Sequence, residues 1–452
     1  MGNQAAAGDV AVPNRPLVRK VALTVPENAA PTRPHFSRMS IQHARYTVAD
    51  EKHRYRPSAP SPLEAVVEYD VQGTRVEMRR PVTRLESNLP YGYDTRALAV
   101  VPALSLTLSP ANAIRPIRQA QGKGGRQNTS RMTVEVLNNR EGASEGKLRL
   151  IVPDGWTVAP ASQSFTFSRA GERALFHFDV GIPLLSNREY RVEAVASSGG
   201  REYREGYTAI RHRDLETRYL YRDAVSSVRG VDVTIAPGLR VGYVMGIGDD
   251  VPSGLRQLGV YVQLLGEQEL ATGNLDRFHT IMTGTRAYAV REDLRTYNRR
   301  LLEYVKGGGN LIVLYNTQEF DPNTYAPYPA TLTASAEEVS EEDSPVEILA
   351  PGDPALNTPN RITARDFEDW VEQRGSKFWD AWDTRYTPII ATWDKGQSPQ
   401  KGGWLHAKYG AGHYTYFAYA FHRQLPYGVP GAYRLLANLL SLNQTSRSTT
   451  GR

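Results

Sequence analysis

Asp249 and Asp250 close the turn in "VGYVMGIGDDVPSGLRQLG", residues 241 to 259, which reads as an apolar strand, a glycine-punctuated turn and the first turn of a helix. Adjacent carboxylates at such a turn can accept hydrogen bonds from a ligand or cap the helix that follows. A phosphate cradle is the other chemistry that this layout raises. It requires G-x-G-x-x-G, and although Gly246 and Gly248 fit, the third position is Val251. The two carboxylates would also repel an anion, so the phosphate reading is rejected. Capping suits the aspartates well, because Pro252 is a favoured first-turn residue and negative charge complements a helix N-terminus.

Further candidates follow the next apolar runs. Arg286 and Tyr288 come after "IMTGT", and Gln318 and Glu319 follow "NLIVLYNT". Together with Asp249 they would converge at the carboxyl edge of a doubly wound sheet, where open α/β folds place their ligands. A second group lies between 366 and 423, where five of the six tryptophans are concentrated. Asp366, Trp370, Arg374 and Arg423 would suit a glycan cleft, with rings for C–H faces and charged groups for hydroxyls. Phe367 and Trp370 at i and i+3 equally describe an ordinary buried helix face. Asp249 or Glu319 with Asp366 would make a carboxylate pair for glycoside hydrolysis. His406, His413 and His422 lack the helical spacing of a zinc site, and the first two face each other across a hairpin. With no cysteine, disulfides, thiolate metal sites and a cysteine nucleophile are excluded.

The elements that must position these residues fall into four segments. Residues 1–100 carry short alternating runs, "LVRKVALTV" and "LEAVVEYDVQGTRVEMRRPV", the latter turning at Gln72 and Gly73, and are expected to form a β-sandwich-like module. Residues 101–212 show strands at short regular spacing, the pattern of an immunoglobulin-like β-sandwich, interrupted by the polar, glycine-rich and mobile loop "RQAQGKGGRQNTSR". Strands then alternate with helices over 213–445, which predicts a parallel α/β sheet. In "REDLRTYNRRLLEYVK", Leu294, Tyr297, Leu301, Leu302 and Val305 share one helical face and Gly307 to Gly309 end it. A helix is expected around "ARDFEDWVEQR", a hairpin turns at Gly410 to Gly412, and residues 446–452 are expected to be a disordered tail.

The 54 basic and 48 acidic residues leave a net charge of +6 that is dispersed along 452 residues, so a nucleic-acid partner is not expected. No run approaches the length of a membrane span, and "MGNQAAAGDVAVPNRP" lacks the apolar core of a signal peptide.

"VGYVMGIGDDVPSGLRQLGVYVQLL", "RAYAVREDLRTYNRRLLEYVKGGGNLIVLYNT", "ITARDFEDWVEQRGSKFWDAWDTRYTPII" and "FHRQLPYGVPGAYRLLANLLSL" together resemble the C-terminal half of long bacterial PIG-L, or LmbE-type, deacetylases. The resemblance covers nearly all of 215 to 442 and extends more weakly over the β modules. It implies two immunoglobulin-like sandwiches followed by a doubly wound α/β domain of the class I glutamine amidotransferase-like, flavodoxin-like kind. In that family the zinc motif, of the H-P-D-D-E type, belongs to an upstream domain. No such motif occurs here, so no catalytic or zinc residue carries over and no cofactor is expected in this chain. The amidotransferase nucleophile would stand after "NLIVLYNT", where Tyr315, Asn316 and Thr317 are found. The resemblance thus implies a glycan-recognition and scaffold unit, with an oligosaccharide or glycoconjugate as ligand and a PIG-L catalytic domain or subunit as partner. It also implies a periplasmic or extracellular setting, which makes a chain without a leader read as a truncated or split product. The alternatives are a glycan-processing hydrolase using crevice carboxylates and an oligomerisation module.

Overall fold

The computed structural model describes residues 10–449 other than 11, 13, 27, 39–42, 44, 118–127 and 213–214. Most of the loop expected to be mobile therefore lies outside the described residues, as do 450–452. The last helix, Pro430–Thr449, runs into the stretch expected as a tail.

Residues 101–231 fold into a β-sandwich. One sheet has the strand order Gln163–Phe167, Ser144–Ile151, Glu189–Ser198, Val225–Val231, Asn112–Pro116, and the facing sheet runs Thr157–Ala159, Arg173–Ile182, Asn128–Asn138, Leu104–Ser109. Alternation makes the core: Met132, Val134 and Val136 from one strand meet Val192, Ala194 and Ala196 from the other sheet, all fully buried, while Thr133, Glu135 and Glu193 between them are more exposed. The expected boundary at 212 moves. Val225–Val231 lies inside the sandwich sheet, antiparallel to Glu189–Ser198 and parallel to Asn112–Pro116, and the hairpin Glu205–His212 with Leu215–Asp223 is an excursion before it.

The N-terminal segment departs from the expected sandwich. Glu64–Val71 and Thr74–Pro81 do form the hairpin, and Gln72 and Gly73 both have positive φ, 53° and 84°, as a two-residue hairpin turn requires. Among the described residues the hairpin is a two-stranded sheet by itself, however, and Val66, Val67, Tyr69 and Val71 remain exposed. "LVRKVALTV" forms no strand at all. Alternating residues gain little from β structure until a facing layer covers them.

The remainder is built on a seven-stranded mixed sheet. Its strands are β1 (Arg240–Val244), β2 (Tyr261–Leu264), β3 (Thr280–Thr283), β4 (Asn310–Leu314), β5 (Thr387–Pro388), β6 (Trp404–Tyr409) and β7 (Gly412–Phe417), in spatial order β2-β1-β3-β4-β7-β6-β5. Strands β2, β1, β3, β4 and β7 are mutually parallel, and β6 and β5 complete an antiparallel edge. The order reverses beside β1, which places a switch point at its carboxyl end. Helices α1 (Val251–Gln257), α2 (Glu292–Lys306) and α3 (Pro430–Thr449) accompany the sheet. In α2 the buried stripe is Leu294, Asn298, Leu301, Tyr304 and Val305, whereas Leu302 is only half-buried. Tyr304 takes the core place because its ring occupies the space that a Cβ on Gly309 would need, 2.3 Å away, and its hydroxyl donates to the Phe278 carbonyl.

Around "ARDFEDWVEQR" the expected helix is reduced to a single 3-10 turn, Ala364–Phe367. Asp369 and Glu372 take left-handed φ values of 59° and 66°, which ends any helical run.

Candidate functional site

The crevice that a switch point implies would be bounded by the four loops that leave β1, β3, β4 and β7 at their carboxyl ends. Asp249, on the first, is held at both oxygens: the Tyr243 hydroxyl donates to Oδ1 at 2.7 Å and the Thr285 backbone N–H to Oδ2 at 2.8 Å. Glycines make the approach possible. A Cβ on Gly284 would sit 2.6 Å from Asp249 Oδ2, and one on Gly246 only 2.0 Å from the Thr285 carbonyl. Asp250 diverges from this arrangement. It precedes α1 without a side-chain capping bond, and partial burial, followed by the nearby Asp249 carboxylate, pushes its own carboxyl up.

Arg286 stands at the turn between β3 and the short helix Ala287–Val290, with φ 52° and ψ 32°. Its N–H donates to the Tyr315 carbonyl at 2.7 Å, which joins the second and third loops. Strand-to-helix elbows of this kind present one side chain above the sheet. Here that side chain is a guanidinium, a hydrogen-bond donor with no nucleophilic character. Its Nε is buried without a partner among the described residues, as are the hydroxyls of Thr283 and Thr285. Glu319 is exposed on the third loop; its carboxyl is lowered mainly by the Thr317 hydroxyl, with Arg286 and Arg295 adding to the effect. Gln318 beside it is exposed.

Two groups complete the crevice that sequence reasoning assigned elsewhere. Tyr315 and His422 stack with ring centroids 6.2 Å apart and planes at 23°. Burial lowers the His422 pKa, and Asp249 opposes that shift, so the imidazole lies within electrostatic reach of the carboxylate. Tyr315 immediately follows the apolar strand Asn310–Leu314, and that position was the available signal; His422 lies five residues past Gly412–Phe417, in the short helix Phe421–Gln424. Arg423, next to His422, is tied to Glu372 in an ion pair.

Four expected site residues are not in the crevice. Tyr288 is fully buried, its hydroxyl donating to Asn298 Oδ1 at 2.6 Å and its N–H to Asn316 Oδ1. Asp366 accepts from the Thr363 N–H and pairs with Arg434 at 2.6 Å, a fastening between the 3-10 turn and α3. Trp370 is 1% exposed, stacks on Phe367 and donates from its indole nitrogen to the Asp366 carbonyl. Arg374 lies over the Phe367 and Trp370 rings and donates to the Phe367 and Ser344 carbonyls; burial lowers its pKa to about 10. These side chains build a core in which no sugar face could reach the tryptophan. Asp366 is likewise unavailable as a partner carboxylate for hydrolysis.

The histidines of the hairpin do meet. Asp353 Oδ2 lies 2.9 Å from His406 Nδ1, and His406 Nε2 lies 2.8 Å from His413 Nδ1. An ionised Asp353 accepts only, so each imidazole in turn donates from Nδ1, and the two facing nitrogens are occupied by one another. Among the described residues there is no group of three His, Asp or Glu that could hold a metal ion, and no helix long and apolar enough to cross a membrane.

No family model matches the chain, and no curated protein matches it. Solved structures similar to parts of it include a FixG-related protein from Vibrio parahaemolyticus, 11% identical over 29% of this chain and 98% of that one, with a TM-score of 0.19. A beta-galactosidase from Rahnella sp. R3 is 14% identical over 48% of this chain and 32% of its own, with a TM-score of 0.29. The exo-beta-1,4-mannosidase Op5Man5 from Opitutaceae bacterium strain TAV5 is 11% identical over 46% and 36%, with a TM-score of 0.25. This chain spans about a third of each glycosidase, and all three scores are too low to establish a shared fold.

Proposed function

We propose that this chain is a non-catalytic glycan-recognition and scaffold unit whose sugar site is the crevice at the carboxyl ends of β1, β3, β4 and β7. The observation that carries the reading is the pairing of buried donors without partners, Thr285 Oγ1 and Arg286 Nε, with the fixed carboxylate of Asp249 beside them. Buried polar groups are costly unless paired, so a ligand that supplies both donors and acceptors is favoured there. A polyol supplies both, and the Tyr315 ring offers a face for its C–H groups.

The non-catalytic part of the reading is supported by Arg286 at the elbow and by the engagement of Asp366 with Arg434. The order β2-β1-β3-β4 is compatible with an amidotransferase-like, flavodoxin-like domain of the kind found in the accessory half of PIG-L deacetylases. On that reading a PIG-L catalytic domain or subunit is the partner, and the setting is periplasmic or extracellular. An array of N-acetylated, deacetylated and neutral oligosaccharides tests the proposal. Retention of at least one glycan by the native chain, lost in Asp249→Asn and Tyr315→Ala, is expected. An array without any retained glycan would refute it and favour an assembly role.

A further inference from the structure

A second space lies where the sandwich meets the α/β sheet. Hydrogen bonds cross the seam: Asn112 Nδ2 donates to the Pro426 carbonyl at 3.0 Å and the Ile114 N–H to Gln257 Oε1 at 2.7 Å. Beside the seam is a cleft of about 500 Å³. That volume falls in the range of small-molecule sites, roughly 300–1,000 Å³, which are found preferentially between domains.

The two walls carry opposite charge. Arg131 and Thr133 come from the sandwich, and Asp250, Ser253 and Gln257 from α1 and the residue before it, with Leu425 supplying apolar surface. Arg131 forms an exposed ion pair with Asp179 through Nε at 3.3 Å, an interaction of small net strength. Asp250 makes no capping bond to its own helix. None of the described residues lining the cleft is aromatic, so the stacking surface that suits a sugar in the crevice is missing here.

We infer that this cleft binds a small zwitterion, a free amino acid or short peptide, with its carboxylate on Arg131 and its ammonium on Asp250. Charge-assisted hydrogen bonds at both ends give the site its selectivity, and the ligand bridges the two folded units. The inference does not rest on the sugar reading, because Arg131 and Asp250 lie outside the hydrogen bonds that hold Asp249.

Calorimetric titration of the full chain with L-alanine, L-glutamine and alanyl-alanine tests it, against N-acetyl-L-alanine, which lacks the ammonium, and alaninamide, which lacks the carboxylate. Saturable binding of at least one zwitterion is expected, with each blocked analogue weaker by about ten-fold or more. Arg131→Ala and Asp250→Asn, shown to be folded by circular dichroism, should each weaken binding by about the same factor. The inference is overturned if no zwitterion binds saturably, if the blocked analogues bind equally well, or if neither variant changes the affinity. Neutral oligosaccharides whose binding is lost in Arg131→Ala would also overturn it, by assigning the cleft to sugars.

Discussion

Asp249 and Asp250 are neighbours in sequence, yet the chain turns between them, so that one is locked in the crevice and the other lines the cleft beside the sandwich. Residue type and position after a strand placed Asp249, Arg286 and Glu319 on loops at the carboxyl ends of strands, but side-chain direction was not legible, and Tyr288 and Trp370 point into cores. Trp370→Ala should therefore destabilise the protein by about 3–5 kcal/mol in urea unfolding without altering glycan affinity per folded molecule. Asp366→Ala leaves Arg434 without its carboxylate and should cost about 3 kcal/mol by the same measurement. The histidine pair predicts acid sensitivity. Burial, with His406 and Lys408 adding to it, lowers the His413 pKa from 6.5 to about 4, so the folded state holds this imidazole neutral where the unfolded state protonates it. The resulting stability is complete above about pH 6.5 and is lost as the pH falls towards 4. Asp353, whose carboxyl is also lowered, adds a further loss below its ordinary value. Between pH 7 and 5 the native chain should lose on the order of 1–2 kcal/mol, and His413→Asn should lose less. An equal loss in both would show that the pair does not govern this pH range.

Elements with a complete local signal were legible. Helix α2 combines a 3.6-residue apolar stripe, Glu292 and Asp293 in its first turn, Lys306 in its last and glycines at its end. "ARDFEDWVEQR" presents a similar stripe, and the Asp366 carboxylate caps a first turn at the Thr363 N–H, but the chain turns left-handed at Asp369, so the stripe stops at a 3-10 turn under α3. The turn is fastened to α3 by Arg434, 68 residues from Asp366, and local periodicity carries no trace of that contact. Close approach of loops is equally invisible in sequence. Gly246→Ala would drive a methyl group into the Thr285 carbonyl, so a loss of about 1–3 kcal/mol together with weakened sugar binding is expected. Gly73→Ala, in the exposed N-terminal hairpin, should leave the main unfolding transition unchanged, because no core depends on that turn. Thermal unfolding of the two variants side by side makes the comparison.

At the scale of the whole molecule, the shift from β rhythm to α/β alternation was legible, but the boundary was placed two strands early, ahead of Leu215–Asp223 and Val225–Val231. Val225–Val231 follows the Leu215–Asp223 strand and looks like its continuation, yet it pairs between Glu189–Ser198 and Asn112–Pro116. A fragment spanning 101–212 should consequently fail to unfold cooperatively, whereas 101–232 should do so. The N-terminal runs were legible as strands only where a turn paired them, since alternation shows that a strand wants a covering layer and not that one exists. The central claim, that the crevice where β1, β3, β4 and β7 end recognises a glycan, is tested most directly by parallel calorimetric titrations of the native chain and Asp249→Asn with the same oligosaccharides. Saturable binding to the native chain, weakened by about ten-fold or more in a variant of unchanged fold, is the predicted result. Equal affinity in the two proteins would contradict it, as would the absence of any saturable glycan binding.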